Sequence, residues 1–168
     1  MPCSRSSSPP LCLSPHHPGR RHRPTRRHRC FDPIQFFSGT TEGQARLKIM
    51  FRRGRAVQVR GVGRQDAEGT LILDQRVAQQ GRPATMRQWR IRQVAPGRYA
   101  GRLSDAAGPV VGEAEGDRLH LAYAAKGGVR IDQWLVLSPD GRSARNHLAA
   151  RKLGLVVARL DEVIRKVD

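Results

Sequence analysis

The stretch RYAGRLSDAAGPVVGEAEGDRLHLAYAAKGGVRIDQWLVL, residues 98–137, decides the fold. Four runs of alternating or apolar residues, Arg98–Leu103, Val110–Glu115, Arg118–Ala124 and Val129–Leu137, are separated by the turn signals SDAAG, EGD and AAKGG. Within the third run, Leu119, Leu121 and Tyr123 fall on one face of an extended chain, and Arg118 and His120 on the other. Connections this short join strands that lie side by side, so consecutive strands are expected to pair as antiparallel hairpins.

The same pattern continues on both sides. Ala45–Phe51, Ala56–Arg64, Thr70–Ala78 and Thr85–Val94 precede the stretch and Ser143–Leu148 follows it, with RRGR, QDAEG, QQGRP, APGR and SPDGR between runs. In the first of these, Ala45, Leu47, Ile49 and Phe51 share a face against Arg46 and Lys48. A meander of about eight to ten strands removes its own edges by closing on itself, and a barrel of that size can hold one small ligand. The expected class is therefore all-β, an antiparallel up-and-down β-barrel over residues 31–168. Gly61 and Gly63, in GVGR, lack the rest of a dinucleotide fingerprint and read as a barrel bend.

The end of the chain supports two readings. Leu153, Val156, Val157, Leu160, Val163, Ile164 and Val167 recur at helical spacing with Arg159, Asp161, Glu162, Arg165 and Lys166 opposite, which favours a helix. Read in twos, Val156, Ala158, Leu160 and Ile164 also share a face, interrupted only by Glu162, as a closing strand would.

Residues 1–30 differ in kind. They hold seven arginines, six prolines, all three cysteines (Cys3, Cys12, Cys30) and no acid, and are expected to be a disordered tail. The only apolar cluster, Leu11–Cys12–Leu13, is too short for a secretory signal, and the prolines oppose an amphipathic targeting helix. A basic nucleic-acid arm is one reading; a start site assigned upstream of the natural one is the favoured reading. No cysteine pair has zinc-site spacing, so no metal is expected. No run of apolar residues is long enough for a membrane helix, and the chain is expected to be soluble, with a cytoplasmic location favoured.

The whole chain carries 31 Lys and Arg against 14 Asp and Glu, a net charge of +17. Such a balance attracts anionic partners without saying anything about the fold. From Phe31 the cysteines are gone and the charges are dispersed among strands, which fits an arginine-rich surface.

Chemistry is sparsely marked. His120 and His147 fall at outward-facing strand positions without a nucleophile motif around them, and no catalytic residue or cofactor is expected. A scattered polar and aromatic set, Trp89, Tyr99, Asp105, Asp132, Trp134 and Asn146, suits a ligand cavity lined by few hydrogen-bonding groups. Barrel packing would use the same aromatics.

These residues also carry a likeness. FDPIQFFSGTTEG at residues 31–43, LDQ at 73–75, RQWRIR at 87–92, GRYAG and SDAAGPVVGEAEG within 97–116, DQW at 132–134 and ARNHLAARKLG at 144–154 together resemble the bacterial family catalogued as DUF3833. The resemblance implies a calycin-like barrel reminiscent of lipocalins, a closing strand at the C-terminus, no established activity and a link to envelope or lipid metabolism. Many relatives begin with a lipoprotein signal ending in a lipidated cysteine, whereas Cys30 follows no apolar segment; many have Glu where Gln75 stands.

The leading expectation is a non-catalytic barrel that binds a hydrophobic or amphipathic, lipid-like small molecule through the set named above. The alternative is a peripheral module whose arginine surface meets an anionic membrane or nucleic acid. A less favoured third is an enzyme acting on a lipid-like substrate through Asp105, Asp132 or His147.

Overall fold

The computed structural model describes residues 30–167, and the tail expected over residues 1–30 falls outside them except for the exposed Cys30. A short helix, α1 (Pro33–Phe37), precedes ten strands: β1 (Gly39–Ile49), β2 (Arg55–Gln65), β3 (Leu71–Gln79), β4 (Thr85–Ala95), β5 (Arg98–Leu103), β6 (Val110–Glu115), β7 (Arg118–Ala125), β8 (Val129–Leu137), β9 (Ser143–Lys152) and β10 (Leu155–Lys166). Every strand pairs antiparallel with the next, and β10 returns to β1 from Thr41↔Lys166 to Ile49↔Ala158, so the sheet is a closed barrel without an edge.

The C-terminal segment is the closing strand, and the helical reading is corrected. A strand here satisfies the backbone of both β1 and β9, which a helix would leave as two open edges. Phe51 is a second correction. It does not continue the inner face of β1 but sits in the following turn at φ 60°, with 98% of its surface exposed. Its neighbours Leu47 and Ile49 do face inward, alternating with the exposed Arg46 and Lys48.

One end of the barrel is stoppered by a segment that strand reasoning starting at Ala45 does not reach. Asp32 caps α1 by accepting from the Ile34 and Gln35 amides at 2.9 and 3.3 Å, and Pro33 supplies the preset φ of a first helical turn. This turn aims Phe31, Phe36 and Phe37 into the barrel, where all three are buried, with ring centroids 5.4 and 4.9 Å apart along the series. Lys166, at the far end of the chain, donates to the Phe36 and Ser38 carbonyls and ties β10 to the stopper. Gly63 is a site of close approach rather than a bend: a Cβ there would come within 1.9 Å of the Phe37 carbonyl oxygen.

The core fills only the stoppered half. Leu71, Ile91, Tyr99, Leu119, Leu135, Ala144 and Ile164 pack with the three phenylalanines into one cluster, and burying each large side chain contributes about 1.5–3 kcal/mol. Toward the other end no element among the described residues caps the barrel. There the inward-facing Leu47, Ile49, Val77, Leu148 and Leu160 remain half-buried, although their strand neighbours on either side already cover their flanks. Residual exposure on the inner face of a closed barrel comes from the lumen, so the barrel is a cup, stoppered below and open above.

Candidate functional site

The floor of the cup is polar. On β10, Glu162 is the one acidic residue on the inner face, and Asn146, its cross-strand partner on β9, donates from Nδ2 to Glu162 Oε2 at 2.7 Å. Room for the carboxylate comes from β1, because Gly43 lacks the side chain that would occupy its place: an added Cβ would lie 2.0 Å from Glu162 Oε1. Asn146 is itself 2% exposed, and its Oδ1 has no hydrogen-bond partner among the described residues. Leaving a buried carbonyl-type oxygen unpaired costs roughly 1–3 kcal/mol.

A second group approaches from β3 and β4. Gln75 and Arg87 are cross-strand partners, and Gln75 Oε1 accepts from both Arg87 Nε and Trp89 Nε1 at 2.8 Å. The Arg87 guanidinium lies 5.7 Å from the centre of the Trp89 ring, and Trp89 meets Tyr123 of β7 edge-on at 5.6 Å. Arg87 forms no ion pair with a carboxylate among the described residues, yet its charge acts on both Glu162 and Tyr123. Burial raises the Glu162 carboxyl above the usual carboxylate range, against the opposing pull of the Asn146 hydrogen bond and Arg87. Burial likewise pushes the Tyr123 phenol up to about 12, so it is a neutral hydroxyl at any ordinary pH.

The residues singled out from sequence are thereby divided. Trp89 and Asn146 belong to the floor. Tyr99 is buried in the packed half nearer the stopper, and burial raises its phenol, helped by the Asp32 charge. Asp105 lies exposed in the loop after β5 and reaches the lumen only through its field at Tyr123. Asp132 and Trp134 face outward: they share the outer face of β8, between the inward Ile131, Gln133 and Leu135. Trp134, 48% exposed, stacks on His120 at 4.1 Å, and Asp132 is held by His120 at 3.3 Å and by Arg151 at 2.8 Å. Trp134 and His120 border an outer cleft of about 530 Å³ with Arg98, Glu113 and Arg118. The other body histidine, His147, is also outside, 2.6 Å from Asp161.

Sequence reasoning missed Glu162, Arg87, Gln75 and Tyr123 as a set. The signal for Glu162 was present: a single acid interrupting an otherwise apolar inner face. Arg87 gave none, since an arginine at a strand position among many others does not announce which face it takes.

The sequence profile of "Protein of unknown function (DUF3833)" matches residues 20–166, nearly the whole chain. The chain belongs to the DUF3833 family. No curated protein matches this DUF3833 chain in sequence. Among solved structures, the S-type phycobiliprotein lyase CPES from Guillardia theta superimposes with a TM-score of 0.61 at 5% identity, over 80% of this chain and 91% of that one. A DUF3598-family protein of unknown function from Nostoc punctiforme gives 0.61 at 12% identity, over 83% of this chain and 51% of that one. At such identities the likeness is one of fold alone. Among the described residues no helix is long and apolar enough to cross a membrane, and no group of three metal-ligating side chains converges.

Proposed function

We propose that the barrel binds one amphipathic, lipid-like small molecule in its cup, without converting it. The observation that carries this reading is the unpaired Asn146 Oδ1 beside a buried Glu162, at the floor of a lumen whose walls are aliphatic. If Asn146 were rotated to pair its oxygen with a protonated Glu162, its amide N–H would be orphaned instead, so one polar partner is missing in either arrangement. A ligand headgroup bearing a hydroxyl or N–H would supply that partner, while an apolar chain would lie against Leu47, Val77, Leu148 and Leu160. Arg87 and the Tyr123 hydroxyl stand close enough to add a second contact to the same headgroup.

A non-catalytic role is supported by the distribution of titrating groups. The two histidines of the described residues that could shuttle protons are bound to Asp132 and Asp161 on the outer surface, away from the lumen. Trp134 is therefore assigned to the outer cleft and Asp132 to the outer surface beside His120 and Arg151, and neither to the ligand, whereas Trp89 and Asn146 keep the role expected of them.

Native mass spectrometry of the full chain purified from bacteria, followed by extraction and lipidomics, tests the proposal. A co-purifying amphipathic molecule that is lost in Asn146→Leu and in Glu162→Gln, with melting temperatures at or above the parent's, supports it. A barrel that is empty across gentle preparations and takes up no fluorescent fatty acid or lysolipid sinks it.

A further inference from the structure

Among the described residues, Phe51 and Leu153 are the two that hold a positive φ without being glycine, at 60° and 51°. Large side chains disfavour this region, where glycine or asparagine sits at lower cost, so the backbone gives no reason for either residue. Packing gives none either, because the two are 98% and 93% exposed. They occupy the β1–β2 and β9–β10 turns, which are neighbours at the mouth of the cup because β1 pairs with β10 and the Met50 amide donates to Val157 at 2.9 Å. Met50, Leu155 and Met86 are exposed around them. Phe51, Leu153 and Met50 thus project from turns at the open end, and Leu155 and Met86 are exposed near the starts of the adjoining strands.

Charge is sorted along the barrel axis in the same sense. The turns at the mouth carry Arg52, Arg53, Arg82 and Lys126 with Asp105 as their acid, and Lys48 and Lys152 stand just behind the apolar tips. The turns and leading segment at the stoppered end carry Asp32, Asp66, Glu68, Asp117 and Asp140 with Arg142, and Arg64, Arg98, Arg118 and Arg165 just behind them bring that end close to neutral, against a strongly cationic mouth. An anionic plane would orient such a molecule mouth-first.

We infer that the open rim docks on an anionic phospholipid bilayer, with Phe51 and Leu153 inserted below the headgroups and Arg52, Arg53 and Lys152 at the phosphates. Apolar tips ringed by cations fit the interfacial layer, where hydrocarbon meets anionic headgroups. Nucleic acid would use the cations and could stack a base on Phe51, but it would leave the aliphatic Leu153 and Met50 without a partner. Docking in this pose turns the mouth of the cup toward the lipid, and it stands whether or not the lumen holds a ligand.

Flotation of the full chain with mixed phosphatidylglycerol and phosphatidylcholine vesicles, joined to hydrogen-exchange mass spectrometry, tests the inference. Binding is expected to the mixed vesicles and not to pure phosphatidylcholine, with amide protection at residues 50–54 and 152–156. The double variant Phe51→Asn/Leu153→Asn places residues that tolerate positive φ, so it should fold at least as stably and bind about tenfold more weakly or worse. Arg52→Glu/Arg53→Glu should reduce binding by more than about fivefold per charge removed. No binding to the mixed vesicles, protection that maps outside the two turns, or unchanged binding by the Asn variant would each overturn the inference. So would tighter binding to single-stranded RNA that is indifferent to the Asn substitutions.

Discussion

Glu162 lies over Gly43, with its Oε1 where a side chain at residue 43 would begin, only 2.0 Å from an ideal Cβ. One strand of the seam thus leaves a notch and the other fills it with a charge. Gly43→Ala should cost about 1–3 kcal/mol, the usual penalty of an extra methyl in a filled site. Chemical denaturation of the double variant Gly43→Ala/Glu162→Ala should recover most of that loss; equal losses in the single and double variants would show that the glycine serves the backbone instead.

Glu162 also sets a direction of pH dependence. Its carboxyl is raised in the folded chain above its ordinary value of 4.5, so the folded state holds the proton more tightly than the unfolded state. Its contribution to stability is therefore full below the ordinary value and is lost as the pH climbs through the raised one. The neutral Tyr123 faces the same space and does not change charge in that window. Thermal melts should show Glu162→Gln gaining on the parent as pH rises from acid to neutral, with the two curves converging in acid.

Where the candidate residues lie separates two tryptophans. Trp134→Ala removes an exposed stack on His120 and should change stability by less than about 1 kcal/mol while leaving retention of any lumen ligand intact. Trp89→Phe deletes the indole N–H that Gln75 accepts, and should lower ligand retention. Parallel native mass spectra of the two variants give the comparison; loss of ligand from the first and not the second would move the site to the outer cleft.

The stopper is the other vulnerable place. Phe36→Ala opens a void beneath the core and should cost about 3–5 kcal/mol. Lys166→Met removes the two hydrogen bonds to the end of α1 and keeps most of the packing, so about 1–3 kcal/mol is expected. Urea unfolding curves distinguish these; a Phe36→Ala chain as stable as the parent would mean that the helix is not part of the cooperative unit.

Much of the barrel could be read in advance because its turns are short and chemically marked. Arg98–Leu103, Val110–Glu115 and Val129–Leu137 are strands with the bounds their turn residues suggest. The last strand resisted, because apolar residues are dense enough in residues 153–167 to satisfy both periods, and only pairing with β1 and β9 decides between them. Helix α1 resisted for a different reason: a single turn is too short to show a period, and Phe31, Phe36 and Phe37 earn their burial only once a barrel exists to receive them. The site was half legible. Trp89 and Asn146 could be named from residue type, but the face on which Asp132 and Trp134 sit depends on register within β8. The partners that complete the floor come from β3, β4, β7 and β10, which sequence order keeps far apart.

The seam between the first and last strands also constrains how the molecule comes into being. The hydrogen bond from Lys166 to Phe36 joins positions 130 residues apart, and the β1–β10 ladder, from Thr41↔Lys166 to Ile49↔Ala158, is nearly as long-range. A ribosome delivers β1 long before its partner, so the growing chain carries a sheet with two bare edges until β10 emerges. Closure therefore waits for β10, and a copy that stops short of it is left with adhesive edges that can find each other in trans.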